Sequence, residues 1–156
     1  MRFRPALKED ASAVSALIHS LSHFIAASPH AVGSDRFFHS VSPESEQRYI
    51  SDPRYYYLCA FSDSDLVGFV ALRDNTHLFH LFVAERLHRT GLASTLWRQA
   101  REHSQSLGNS QGFTVNSSIG AVPVYARFGF AVVGPKIRAH GIDFVPMQLL
   151  LNPHGA

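Results

Sequence analysis

The stretch VAERLHRTGLAS, residues 83–94, runs from an apolar segment through a polar turn with one glycine and into a helical pattern. A strand ending at Val83 and a helix beginning near Gly91 aim several backbone N–H groups at one spot, reinforced by the positive end of the helix dipole. Such a spot attracts phosphate. Gly91 permits a close backbone approach or a positive φ, Ala93 keeps the first helical turn unobstructed, and His88 and Arg89 add positive charge. The spacing by itself is equally that of an ordinary strand-to-helix turn.

The flanking patterns place this turn in a sheet. YYYLCAFSD, DLVGFVALRD and THLFHLFV, joined by short polar connections, predict three consecutive strands in an antiparallel meander. Strand 77–83 is apolar on both alternating sets, so both faces are expected to be covered. From 91 to 107, Leu92, Leu96 and Ala100 form one helical stripe with Ala93 and Trp97 beside it. After SLGNSQG, the segment FTVN predicts a short strand, and strand, helix and strand make a right-handed crossover with the two strands parallel. The next helix ends at Gly129, where a left-handed residue belongs, with Phe130 behind it and Pro123 in its first turn. The chain closes with AVVG, a basic loop PKIRAHG and a strand IDFVPMQLLL. Upstream, RFRPA predicts an opening strand, and Ala11, Val14, Leu17, Ile18, Leu21, Phe24 and Ile25 predict a helix over 8–27. Short helices are expected near 35–40 and 43–50.

At 156 residues the chain is expected to be one domain, 1–156. An apolar share of 46% against 17% charged excludes a disordered chain, and a net charge of +2 gives no broad basic footprint for nucleic acid. No apolar window reaches the length of a membrane span and no signal-like segment opens the chain, so a soluble cytoplasmic protein is expected. The single Cys59 has no internal disulfide partner, which fits a reducing compartment, and its setting in YYYLCAF predicts a buried, inert thiol.

Two motifs carry a resemblance. VAERLHRTGLA resembles the acetyl-CoA-binding pattern V-x-P-x-x-[QR]-[GR]-x-G-x-[GA] of the GNAT superfamily of N-acetyltransferases. NSSIGAVPVYARFGF resembles that family's second signature, N-x-x-A-x-x-x-Y-x-x-x-G-F, with Ala121, Tyr125, Gly129 and Phe130 in place. The element order matches the family's along nearly the whole chain, and HLFHLFV, FTVNSS and GIDFVPM are similar to a bacterial, small-molecule-type subgroup. The resemblance implies an α/β GNAT (acyl-CoA N-acyltransferase) fold: a mixed, mostly antiparallel sheet of about seven strands with a central splayed parallel pair, flanked by about four helices. It implies an enzyme that moves an acetyl group from acetyl-CoA to a primary amine by direct attack in a ternary complex. The alternative on the same fold is a catalytically silent acyl-CoA-binding regulator or sensor.

Carried onto this chain, the resemblance implies that backbone amides of Arg89, Thr90, Gly91, Leu92, Ala93 and Ser94, with His88 beside them, hold the pyrophosphate of acetyl-CoA. The pantetheine arm would pair with the backbone of Leu81, Phe82 and Val83, and an amide there would polarise the thioester carbonyl, a contact worth about 3–4 kcal/mol in other enzymes. Ala121 and Tyr125 would line the site, with Tyr125 as acid for the departing thiolate. The chain departs from the pattern at His88, which replaces Gln or Arg, and at Arg89, where Gly is frequent and which costs little at negative φ. It departs again at Ser118, which stands for Asn, with Asn116 as a substitute two residues earlier.

The acceptor amine must lose a proton before it attacks. His80, on the face expected to hold Leu78 and Phe82, is a candidate base because imidazole titrates near neutrality. A water chain, His77 and a hydrogen-bonded core role for His80 stay open. Tyr125 equally suits the buried stripe of a short helix, and the YYY run at 55–57 suits core packing or an acceptor groove. His19 and His23 lie i, i+4 but have no third ligand at metal-site spacing, so no metal is expected. The acceptor, a small-molecule or peptide amine, should meet the first helices, the 27–42 segment and the 134–141 loop, whose Lys136, Arg138 and His140 suggest an acidic group on it. No nucleic-acid or membrane partner is expected. Homodimers are common in the family, and the C-terminal strands offer an edge for one.

Overall fold

The computed structural model describes residues 1–25, 34–139 and 141–151. Eight strands, β1 (Arg2–Pro5), β2 (Tyr55–Ser62), β3 (Asp65–Arg73), β4 (His77–Val83), β5 (Gly112–Ser118), β6 (Ala131–Val132), β7 (Ile137–Ala139) and β8 (Ile142–Leu150), form one sheet in the order β1-β2-β3-β4-β5-β8-β6, with β7 also on β8. Every pairing is antiparallel except β4 with β5. The helices are α1 (Ala11–Ser20), α2 (Ser22–Ile25), α3 (Ser34–Ser40), α4 (Pro43–Ser51), α5 (Leu92–Ser106) and α6 (Val122–Arg127).

Alternation in the central strands builds two cores. On β2, Tyr57, Cys59 and Phe61 meet Val14, Leu17 and Ile18 of α1 on one face, while Leu58 and Ala60 join Leu96, Trp97 and Ala100 of α5 on the other. Both alternating sets are apolar because both faces are covered. Trp97 fixes α5 to the sheet, edge-on to Phe113 at 4.8 Å. Burial pushes the Cys59 thiol up to about 12, in line with an inert group. The helix α6 ends at Gly129 (φ 105), where Phe130 N–H donates to the Tyr125 carbonyl and Gly129 N–H to that of Ala126 (both 3.0 Å).

Three local features differ from the sequence expectations. The first helix breaks at Leu21 (φ −104, ψ 14), and residues 26–27 of the expected span lie outside the described residues. The supposed basic loop contains β7, which forms a hairpin with β8: Arg138 faces Asp143 across the ladder and pairs with both carboxylate oxygens (2.6 and 3.1 Å). That cross-strand pair offsets the charge that made the segment look like a loop. The strand β4 carries a bulge, since Ala71 pairs with His80 but Leu72 with Leu78, leaving Phe79 as the extra residue. Leu78 therefore packs on the α5 side while His80 and Phe82 point to the α1 side. His80 and Leu78 do not share a face as the alternation predicted.

The parallel pair is short. β4 and β5 pair only at His77↔Thr114 and Leu78↔Val115, after which β4 stays with β3 and β5 with β8, so the sheet opens between them.

Candidate active site

Beyond β4 the chain makes a 3-10 turn over Glu85–Leu87 and enters α5 through Arg89 (φ 66) and Gly91 (φ 88). Arg89 thus takes the left-handed region rather than the negative φ expected, at a cost of roughly 1–2 kcal/mol. Thr90 is spent inside the turn: its N–H (3.3 Å) and hydroxyl (2.6 Å) both go to the Leu87 carbonyl. The first helical bond runs from Thr95 N–H to the Gly91 carbonyl (3.0 Å). The amides of Arg89, Gly91, Leu92, Ala93 and Ser94 consequently have no acceptor among the described residues and converge on the helix N-terminus. The Thr90 amide drops out of the set expected from the sequence. His88 is also used internally, its Nε2 donating to the Val83 carbonyl at 2.8 Å, so the ring ties the turn to the strand end instead of reaching for an anion.

These groups line a cleft of about 670 Å³ bounded by Leu81, Phe82, Val83, His88, Arg89, Gly91, Leu92, Ala93, Ser94, Ser118, Ala121 and Tyr125. Arg127, which the sequence analysis did not single out, adds a second cation to its wall. Asn116 lies elsewhere, in a second cavity of about 380 Å³ on which His77, His80, Phe79, Tyr49, Phe37 and Arg73 also stand. Leu81, Phe82, Ser118, Ala121 and Tyr125 belong to both. The two cavities meet where the sheet opens.

Backbone direction follows from the ladder. Ala84 N–H donates to the Val67 carbonyl (2.8 Å), so by antiparallel alternation the Phe82 N–H also turns to β3, and those of Leu81 and Val83 face the opening. Tyr125 stands opposite, 7% exposed and edge-on to Phe128 and Phe130. Burial raises its phenol well above the usual range, which keeps the proton on.

His80 does not stand alone. Its Nε2 lies 3.2 Å from Oε2 of Glu46, and Oε1 of Glu46 accepts from the Tyr57 hydroxyl at 2.6 Å. Glu46 is fully buried in α4, whose first turn is set by Ser42, its hydroxyl accepting from Ser45 N–H (3.2 Å), and by Pro43. Because Tyr57 fills one carboxyl oxygen, the other takes the Nε2–H of His80 and leaves Nδ1 as the lone-pair nitrogen. Burial, with Glu46 beside it, pushes the Tyr57 phenol up and holds it protonated as the donor. Sequence reasoning missed Glu46 and the role of Tyr57. His77 differs: burial first, then Arg73, lowers it to about 4, and its Nδ1 contacts Thr114 Oγ1 at 2.8 Å.

The remaining candidates resolve locally. His19 Nδ1 bonds the Ser15 carbonyl (2.8 Å) and His23 sits 3.7 Å from Glu85, on separate helices. No group of three or more metal-binding side chains occurs among the described residues. Lys136 (3.9 Å) and Arg138 both turn to Asp143, one carboxylate between two cations, and His140 lies outside the described residues.

Residues 24–151 match the family model of the acetyltransferase (GNAT) domain, and the chain belongs to that family. No curated protein matches it. Among solved structures it is similar to PaiA N-acetyltransferase from Thermoplasma acidophilum in complex with coenzyme A, at 20% identity over 96% of this chain and 98% of that one, TM-score 0.78. It is also similar to a ribosomal-protein-alanine N-acetyltransferase from Brucella melitensis (16%, 97% and 100%, 0.73) and to aminoglycoside 6'-acetyltransferase type Ii (15%, 98% and 99%, 0.71). At these identities the likeness is one of fold.

Proposed function

We propose that the chain, as one domain over 1–156, transfers an acetyl group from acetyl-CoA to a primary amine by direct attack in a ternary complex. The observation that carries this reading is the meeting of two cavities across Tyr125 and the open edge of β4, one lined by unpaired amides and the other by His80. Acetyl-CoA supplies the activated acetyl group. The amides of Arg89, Gly91, Leu92, Ala93 and Ser94 take its pyrophosphate, with Arg89 and Arg127 adding charge. The Leu81 and Val83 amides present donors along the opening, placed for the pantetheine arm and the thioester carbonyl. His80, held by Glu46, accepts the proton of the amine through Nδ1, and Tyr125 gives its proton to the leaving sulfur.

The reaction is placed in the cytoplasm, which suits the lone thiol of Cys59; among the described residues no helix is long and apolar enough to cross a membrane. Exposed Val132, Val133 and Ile137 at the C-terminal strands support a homodimer there.

Titration calorimetry with acetyl-CoA tests the cofactor half. One site in the micromolar range is expected, weakened about tenfold or more in Gly91→Val, since φ 88 is strained for any branched residue. No binding at millimolar acetyl-CoA would end the reading, and binding without turnover of any amine would favour the regulator or sensor. Tyr125→Phe is expected to lower kcat by about 10²-fold with acetyl-CoA affinity nearly unchanged. Equal kcat in the variant and the wild type would remove the acid role.

A further inference from the structure

We infer that the acceptor is a primary amine on an apolar, ring-sized body without a second cationic centre; this rests on the acetyl-transfer reading above. The cavity beside His80 holds about 380 Å³, room for a small arylalkylamine, and its walls include Phe37, Tyr49, Phe79, Phe82 and Phe144. Tyr49 and Phe79 meet edge to face at 5.2 Å, a preformed aromatic wall.

The charges point the same way. The chain has twelve Asp and Glu residues, and none lines this cavity. Glu46, behind His80, is fully covered and committed to Tyr57 and His80. Asp74 is held by Arg54 (3.0 and 3.1 Å) and Asp143 by Arg138. Residues 26–33, 140 and 152–156 contain no Asp or Glu. The one fixed charge among the described residues of the wall is positive: Arg73, whose guanidinium lies over the Phe79 ring at 5.6 Å and occupies a face that would otherwise attract an ammonium; its Nε stands 3.8 Å from Asp74, behind the wall, a carboxylate that Arg54 already holds with two hydrogen bonds. A polyamine or aminosugar would have to bring extra ammonium groups beside Arg73 into a cavity whose lining carries no carboxylate. A lone amine that gives its proton to His80 brings no further ammonium to be paired, and the charge passes to the imidazole, 3.2 Å from Glu46.

The test compares phenethylamine with spermidine as acceptors, measured by thiol release at saturating acetyl-CoA, on protein whose acetyl-CoA binding has been measured by calorimetry. The kcat/KM for phenethylamine is expected to exceed that for spermidine by about 100-fold or more. In Arg73→Glu, which places a carboxylate at the wall, that ratio is expected to fall at least about tenfold through a lower spermidine KM. Spermidine turned over as well as phenethylamine, or in its place, overturns the inference and leaves acetyl transfer standing; turnover of neither by protein that binds acetyl-CoA overturns the inference and counts toward the regulator or sensor. Failure to bind acetyl-CoA overturns both.

Discussion

Glu46→Gln is expected to lower kcat by about 10²- to 10⁴-fold while the protein stays folded and its acetyl-CoA affinity is unchanged. The exchange keeps shape and volume but changes one hydrogen-bond partner. Tyr57 still donates to the remaining carbonyl oxygen, so the new amide group is presented to Nε2 of His80 and donates where the carboxyl oxygen had accepted. His80 must then carry its proton on Nδ1, the nitrogen that the proposed reaction needs bare. Glu46 touches no substrate in this scheme; it is a positioning residue. A structural role alone would lower the melting temperature and leave the pH–rate profile in place. The expected result is the reverse: near-normal melting and loss of the limb that reports the base. A Glu46→Gln enzyme with wild-type kcat would remove both Glu46 and His80 from the proton path.

Gly112→Ala is expected to destabilise by more than about 4 kcal/mol, seen as no folded protein or as a Tm about 10 °C or more below wild type. Gly112 opens β5 at φ 143, and a Cβ there would come within 2.0 Å of the Leu149 carbonyl oxygen. The backbone cannot retreat. It is paired with Leu150 in the ladder, its N–H donates to Asn109 Oδ1 (3.1 Å), and its carbonyl accepts from Asn109 Nδ2 (2.9 Å). Asn109 is itself nearly buried and fixed by the Ser104 hydroxyl (2.9 Å). Much of the stability of an ordinary domain would go with one methyl group. A Tm within a few degrees of wild type would mean that this corner yields more easily than its contacts imply.

The fold was legible where a local pattern has one solution. The period-2 runs of β2 to β4, the stripe of α5 and the Gly129–Phe130 ending of α6 each carry their geometry in neighbouring residues, and the crossover follows from their order. The bulge at Phe79 was not legible, because HLFHLFV is apolar on both sets and a one-residue slip leaves its pattern unchanged. β7 was hidden by charge that only the partner strand offsets. The turn at 83–94 could be read because helix N-termini bind anions for a general reason, and its lining residues do lie along one cleft. The positive φ of Arg89 could not be read from an arginine, although the glycine frequent there in the family was a hint. Glu46 was beyond reach: it matters only through Tyr57 and His80, 11 and 34 residues further along on two other elements, and one of the two glutamates in PESEQRYIS reads as solvated surface.

The short pairing of β4 and β5 bears on how the molecule holds together. Among the described residues, the ladder between the β1–β4 half and the β5–β8 half is confined to two residue pairs at the His77 end, so toward the other end the halves are joined by the core under α5 and not by strand pairing. Anything that bonds to both edges would act as a suture. It would stabilise the fold by mass action, about 2.7 kcal/mol at a hundredfold excess over Kd, and its departure would loosen the same seam. Loading and unloading of the donor would then be felt as stiffening and slackening of the whole sheet rather than as an event at the turn alone.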